Sequence, residues 1–132
     1  MLSFTRLACA SLLLWFSAGV LAVDAEPFTK ERFDSLQAEG TPILVDIYAT
    51  WCPTCAKQRK LLEAYQTQNP DTDLVILEVD FDDQKQWVTH FKAPRQSTLV
   101  LFNNGEQVWF SVAETREEKL YAALNKVTET AE

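Results

Sequence analysis

Runs of apolar residues predict four strands in the part of the chain after residue 29. Ile43 to Ala49 and Leu74 to Val79 are β-branched, apolar runs of strand length, which are typical of strands buried on both faces of a sheet. Thr98 to Phe102 and Gln107 to Val112 flank Asn103-Asn104-Gly105, a segment that tolerates the positive φ of a hairpin turn. The last two strands are therefore predicted to be antiparallel.

Apolar residues at helical spacing predict four helices between and after these strands. They cover Lys30 to Ala38, Cys52 to Gln68, Gln84 to Phe91 and a terminal segment that follows Thr115. The first is expected to stop at Gly40, and Asp82-Asp83 is expected to cap the third. Thr115-Arg116-Glu117-Glu118 has the pattern of a capping box for the fourth.

The order of the elements predicts an α/β fold with a central mixed four-stranded sheet flanked by helices. Strands separated by helices require parallel pairing with right-handed crossovers, and the hairpin adds an antiparallel pair. This domain is expected to cover residues 29–132.

The first 23 residues predict an export signal. Leu7 to Val23 is a run of 17 residues without a charge, preceded by Arg6, and small residues near its end offer cleavage sites that would start the mature chain at Val23 or Glu26. The alternative is an uncleaved anchor, because 17 residues is the lower limit of the roughly 17 to 25 that span a bilayer. Residues 1–22 are therefore predicted to form a signal peptide or anchor, and residues 23–28 a linker. Both interpretations export the domain.

The charge balance excludes one large class of function. The 132 residues contain 12 Lys and Arg against 19 Asp and Glu, a net charge of −7. Such a chain lacks the phosphate-neutralising surface that nucleic-acid binding needs. Hydrophobic residues at 47% and charged residues at 23% are typical of a globular domain, for which we expect a monomer.

Trp51-Cys52-Pro53-Thr54-Cys55 carries the candidate chemistry. The cysteine pair follows a buried strand and opens a helix, so Cys52 is expected where free backbone N–H groups and the helix dipole stabilise an anion. A lowered pKa of its thiol would make Cys52 the nucleophile, while Cys55, one turn inside the helix, would resolve the mixed disulfide. Pro53 fits the first turn, where its missing N–H costs little.

Two other uses of this cysteine pair are open. A structural disulfide would suit an exported chain that has lost Cys9, although so short a loop constrains the unfolded chain little. A zinc site would need two further ligands, and the only histidine, His90, is predicted to lie on the solvated side of a short helix. No metal and no cofactor are therefore expected.

The segment from Pro42 to Cys55 resembles the strand and active site of thioredoxins, and Thr98 to Glu106 is similar to their later hairpin. The resemblance covers Phe28 to Val127. It implies a thioredoxin fold and a thiol–disulfide oxidoreductase, with Trp51, Pro53 and Thr54 in contact with the substrate. The five-residue motif in particular resembles exported thioredoxin-like reductants, including those of cytochrome c maturation.

Asp46 matches the buried aspartate that thioredoxins carry on the strand before the active site. The resemblance implies a proton relay to and from the inner cysteine, and burial would raise the pKa of Asp46 toward the range that such a role needs. The alternative is a carboxylate satisfied by local hydrogen bonds. Glu78 stands where thioredoxins usually have a lysine, and a second inward carboxylate would raise the pKa of Asp46 further.

Ser97 stands where thioredoxins have a cis-proline, and Pro94 lies three residues too early to replace it. Because a non-proline cis bond costs about 2.5 to 4 kcal/mol, the Gln96–Ser97 bond is expected to be trans. One hypothesis is that the Ser97 hydroxyl, with an additional backbone N–H, stabilises the Cys52 thiolate and makes the pair a better oxidant. The other is that loss of the proline admits a metal or an iron–sulfur cluster shared by two chains.

Together these features predict a periplasmic thiol–disulfide oxidoreductase whose partners are cysteine-containing exported proteins. The direction of exchange stays open, because family potentials span roughly −270 to −120 mV and about 30 mV changes the equilibrium tenfold. A reductant would also need a membrane electron donor. The alternative function is a binding module that holds a partner at Trp51, Pro53 and Ser97 without turnover.

Overall fold

A computed structural model describes residues 25–129. The predicted signal or anchor, with Cys9, lies outside the described residues. The elements, in chain order, are β1 (Glu26–Pro27), α1 (Lys30–Glu39), β2 (Ile43–Tyr48), α2 (Pro53–Gln68), β3 (Val75–Asp80), α3 (Lys85–His90), β4 (Thr98–Asn103), β5 (Glu106–Val112) and α4 (Glu117–Thr128).

The sheet has five strands in the order β1-β3-β2-β4-β5. The pairs β1–β3 and β2–β3 are parallel, and the pairs β2–β4 and β4–β5 are antiparallel. The mixed sheet and its terminal hairpin are confirmed, with one strand more than expected. That strand, Glu26–Pro27, pairs with Leu77 and Glu78, and a two-residue strand is too short to show a periodic pattern.

The sheet separates two apolar cores. On one face, α1 and α3 pack against it, and the aromatic side chains of Phe33, Phe91 and Phe28, which precedes α1, contact one another there. On the other face, α2 and α4 pack through Leu62 and Leu124 and their neighbours. Phe28 falls in the segment expected to be a linker, so the folded unit begins before residue 29.

Strand β2 contributes to both cores because its side chains alternate between the two faces. Ile43, Val45 and Ile47 belong to the α1–α3 core, and Leu44 belongs to the α2–α4 core. The same alternation places Asp46 on the face covered by α2, the helix that carries Cys55. The sheet thereby places a buried carboxylate on the same face as the redox helix.

The ends of α1 match the sequence signals, whereas the expected caps of the last two helices are wrong. Thr29 caps α1, and Gly40 ends it with a φ of 74°. Helix α3 begins after Gln84 and α4 after Arg116, and neither has a side-chain cap. The acids that bind free backbone N–H groups lie upstream: Asp80 accepts from residues 82 and 83, and Glu114 accepts from residue 116.

Candidate active site

The cysteine pair lies at the start of α2, directly after the loop that leaves strand β2. Cys52 is the residue that caps this helix: its backbone is extended, and its Sγ accepts the backbone N–H of Cys55 at 3.1 Å. Pro53 is the first residue of the helix. The cap gives Cys52 a hydrogen-bond donor and the positive end of the helix dipole, both of which stabilise a thiolate.

Cys52 and Cys55 are joined by a disulfide, with their Cα atoms 5.3 Å apart. Each residue is only 4% exposed. Trp51, by contrast, is 59% exposed, and Pro53 is exposed beside it, while Thr54 is partly buried. The two exposed side chains, Trp51 and Pro53, therefore flank the buried Cys52 in the sequence.

The Trp51 ring is held in place by a residue for which the sequence predicted a different role. Its indole N–H donates to an Asp82 carboxylate oxygen at 2.8 Å. Asp82 lies in the loop after β3, where it was expected to cap a helix. The hydrogen bond fixes the orientation of an exposed aromatic ring next to the disulfide.

Ser97 covers the disulfide from the loop before β4. Its Oγ lies 3.1 Å from Cys52 Sγ and 3.3 Å from Cys55 Sγ, and the residue is fully buried. No peptide bond within residues 25–129 is cis, so the Gln96–Ser97 bond is trans. A single hydroxyl is thus in hydrogen-bond contact with both sulfurs.

The backbone N–H of Ser97 does not approach Cys52, which corrects one part of the Ser97 hypothesis. It donates to the Ile47 carbonyl at 2.8 Å and so extends the pairing of β2 with β4. Because each backbone N–H supplies one donor, this bond leaves none for the sulfur. Only the hydroxyl of Ser97 reaches the cysteine pair.

Asp46 is 3% exposed, and its pKa is raised to about 7. Burial is the main cause; the charge of Glu78, its register partner on β3, acts in the same direction, and the charge of Arg59 opposes both. Arg59 binds the Glu78 carboxylate at 3.1 Å. Asp46 Oδ1 has no hydrogen-bond partner, so this oxygen is not satisfied locally.

Asp46 lines a pocket of about 400 Å³ beside α2. Its lining includes Asp46, Tyr48, Arg59, Gln66 and Glu78. An aspartate with a pKa near 7 exchanges protons readily at neutral pH, and the pocket has room for water beside its carboxylate. Both properties are compatible with the predicted proton relay.

Gln58 is the site residue that the sequence reasoning missed. It is fully buried, and its Nε2 donates to the carbonyl oxygens of Ser97 at 3.2 Å and Glu114 at 3.1 Å. The signal was present in the spacing, because Cys55, Gln58 and Leu62 follow one another on the buried face of α2. A glutamine on an apolar helical face needs partners, and these carbonyls supply them.

Within residues 25–129, no group of three or more His, Cys, Asp and Glu side chains is placed to hold a metal ion. His90 is exposed on α3, with its ring against Trp87. The serine that replaces the proline contacts both sulfurs, and both cysteines are buried. In the same part of the chain, no helix has the length and apolarity needed to cross a membrane.

A disulfide-forming cysteine pair at the start of a helix, directly after a central strand, has the parts of a dithiol–disulfide exchange site. The fold and this site define the protein as a thiol–disulfide oxidoreductase.

Comparison with known proteins agrees with this class. The family profile described as Thioredoxin matches residues 24–126. The chain is 36% identical over 81 residues to Thioredoxin-1 of Saccharomyces cerevisiae, covering 61% of this chain and 76% of that protein. It is 30% identical over 98 residues to the thioredoxin of Chlamydia trachomatis, covering 74% and 93%. The chain belongs to the thioredoxin family.

Solved structures support the same assignment. The crystal structure of Trxlp from Edwardsiella tarda superposes with a TM-score of 0.72 at 40% sequence identity. The match covers 76% of this chain and 98% of that one. The protein is therefore a thioredoxin-type thiol–disulfide oxidoreductase with Cys52 and Cys55 as its redox pair.

Proposed function

We propose that the protein exchanges disulfides with cysteines of other exported proteins in the periplasm. The observation that carries the chemistry is the Cys52–Cys55 disulfide at the start of α2. The proposed location rests on the uncharged run from Leu7 to Val23, because this run has the length and flanks of an export signal. An exported partner presents its disulfide or dithiol to the surface formed by Trp51, Pro53 and Thr54.

The reducing direction proceeds in two exchanges that conserve sulfur bonds and electrons. The Cys52 thiolate attacks one sulfur of a partner disulfide, which forms a mixed disulfide and releases the other partner sulfur as a thiolate. Cys55 then attacks Cys52 Sγ, forms the intramolecular disulfide and releases the second partner thiolate. Asp46 accepts the proton that Cys55 gives up, and the released thiolates take protons from solvent. The oxidising direction is the reverse.

A reductant of the cytochrome c maturation type is the more specific candidate, and the five-residue motif from Trp51 to Cys55 favours it. Such a protein draws electrons from a membrane donor. Disulfide formation is the second candidate, and the hydroxyl of Ser97 on both sulfurs favours it. A hydroxyl that donates to the Cys52 thiolate stabilises the reduced form and makes the pair more oxidising.

Replacement of Ser97 by alanine is expected to raise the pKa of the Cys52 thiol and to make the reduction potential more negative by about 30 mV or more. A hydrogen bond to a charged group contributes roughly 1.5 to 3 kcal/mol, and about 1.4 kcal/mol corresponds to 30 mV for this two-electron couple. Equilibration with glutathione measures the potential, and the pH dependence of Cys52 alkylation measures its ionisation. Ser35→Ala, on the exposed side of α1, is the matched control. An unchanged potential in Ser97→Ala would show that the hydroxyl does not tune the pair.

Export is expected when the full chain is expressed in a Gram-negative host. Cleavage after Ala22 would place the protein in the periplasmic fraction with a mass reduced by the first 22 residues. An anchor would instead give the intact mass of 15.0 kDa in the membrane fraction. Leu13→Arg, which breaks the uncharged run, is expected to keep the protein in the cytoplasm. Cytoplasmic accumulation of the unaltered chain would contradict the proposed location.

A further inference from the structure

Two residues beside the disulfide adopt a backbone conformation that side chains disfavour. Ser97 has a φ of 65° and Ala113 a φ of 57°, both in the left-handed region. They lie at the open end of the β4–β5 hairpin, and the Ala113 N–H donates to the Ser97 carbonyl at 2.8 Å. A non-glycine residue in this region costs of order 1 kcal/mol and persists only where its surroundings hold it.

Gln58 is the side chain that holds both segments. Its Nε2 donates one hydrogen bond to the Ser97 carbonyl and one to the carbonyl of Glu114, the residue after Ala113. The Glu114 segment is itself fixed, because the Glu114 carboxylate accepts from the backbone N–H and the guanidinium of Arg116. The amide of Gln58 thus connects the redox helix α2 to Ser97 and to the residue that follows Ala113.

This amide is present at an energetic cost. Its neighbours on the buried face of α2 are Cys55 and Leu62, and both pack in apolar clusters. Gln58 Oε1 has no hydrogen-bond partner although Gln58 is fully buried. An unsatisfied buried acceptor is unfavourable, so packing alone would favour an apolar side chain of the same size here. The two donated hydrogen bonds are what the glutamine adds.

We propose that Gln58 is a positioning residue that holds the Ser97 backbone so that the Ser97 hydroxyl stays in contact with both sulfurs of the redox pair. Through that contact Gln58 sets the equilibrium between dithiol and disulfide. The proposal rests on the role given to Ser97 above. It predicts that Gln58 acts on the cysteines only while the serine hydroxyl is present.

The test is a double-mutant cycle on the dithiol–disulfide equilibrium constant with glutathione. Gln58→Met, which keeps the side-chain length and removes the amide, is expected to shift this constant toward the disulfide by about three- to tenfold. In a Ser97→Ala background the same substitution is expected to change it less than about 1.5-fold. Leu62→Met, one turn further along the same face, is the control for altered packing and is expected to leave the constant unchanged.

The outcomes separate this proposal from the one on which it rests. If Ser97→Ala leaves the constant unchanged, the role of the hydroxyl fails and the positioning role fails with it. If Ser97→Ala shifts the constant but Gln58→Met does not, or shifts it equally in both backgrounds, only the positioning role is overturned. A measurement on the unaltered protein covers the case of a variant that does not fold: the side-chain amide protons of Gln58 are expected to exchange slowly with solvent, and rapid exchange would overturn the proposal.

Discussion

Cys52→Ser is expected to abolish disulfide exchange, with a loss of more than about a thousandfold in the dithiothreitol-driven reduction of insulin. A serine hydroxyl is far less ionised than a thiol and cannot form the mixed disulfide on which the exchange depends. Cys52 is expected to be the nucleophile because it lies at the N-terminus of α2, where its Sγ accepts the backbone N–H of Cys55.

Cys55→Ser is the informative counterpart, because it removes resolution and keeps the nucleophile. This variant is expected to lose turnover as well but to accumulate a mixed disulfide with its partner, visible as a mass increase that reducing agent reverses. Cys52→Ser is its matched control and is expected to trap nothing. A different outcome would identify the protein as a binding module that holds a partner without turnover. In that case both variants would bind the partner as the unaltered protein does, and the unaltered protein would show no turnover.

Asp46→Asn is expected to stabilise the oxidised protein, and increasingly so as the pH rises. The pKa of Asp46 is raised from 3.8 in the unfolded reference to about 7 in the fold, so between these values the native state binds more protons than the unfolded state. The free energy of unfolding therefore falls with rising pH across that window. At 1.36 kcal/mol per pH unit, the advantage of Asp46→Asn grows by about 4 kcal/mol between pH 4 and pH 8.

Denaturant unfolding of the two oxidised proteins at several pH values measures this difference, since contributions from groups that do not interact with Asp46 cancel. Asp73→Asn, at an exposed position just before the β3 segment, is the control and is expected to show no such trend. A constant difference between Asp46→Asn and the unaltered protein from pH 4 to pH 8 would contradict a raised pKa of Asp46. The same substitution is expected to slow turnover, because Asn cannot accept the Cys55 proton.

The main strands and the cysteine pair were predictable because their signals are local. Ile43–Tyr48 is a continuous apolar run, and the helix that follows it begins with a proline and carries its apolar residues at regular spacing. The Asp82-Asp83 cap and the Thr115 capping box were misplaced because carboxylates earlier in the chain, Asp80 and Glu114, accept the backbone N–H groups just before each helix. Strand β1 was not predicted because its two residues are too few to form a pattern; they are recognised as a strand only by their pairing with β3.

The finer geometry of the site depends on contacts between distant segments, which a single sequence does not reveal. The sequence showed that Ser97 stands at the cis-proline position of thioredoxins, and it predicted a hydroxyl near Cys52. The positive φ of Ser97 was not predictable, because the backbone groups of Ser97 are bonded to Ile47, Ala113 and Gln58, all distant in the sequence. Gln58 was overlooked for the same reason: its partners lie 39 and 56 residues further along the chain.

The reduction potential of the Cys52–Cys55 pair, measured by equilibration of the protein in glutathione and dithiothreitol buffers, tests the central claim most directly. A thiol–disulfide oxidoreductase is expected to give a reversible two-electron couple between roughly −270 and −120 mV. A value near the negative end would assign it the reducing role, and a value near the positive end the oxidising one. A pair that shows no reversible couple in these buffers would contradict the assignment as an oxidoreductase.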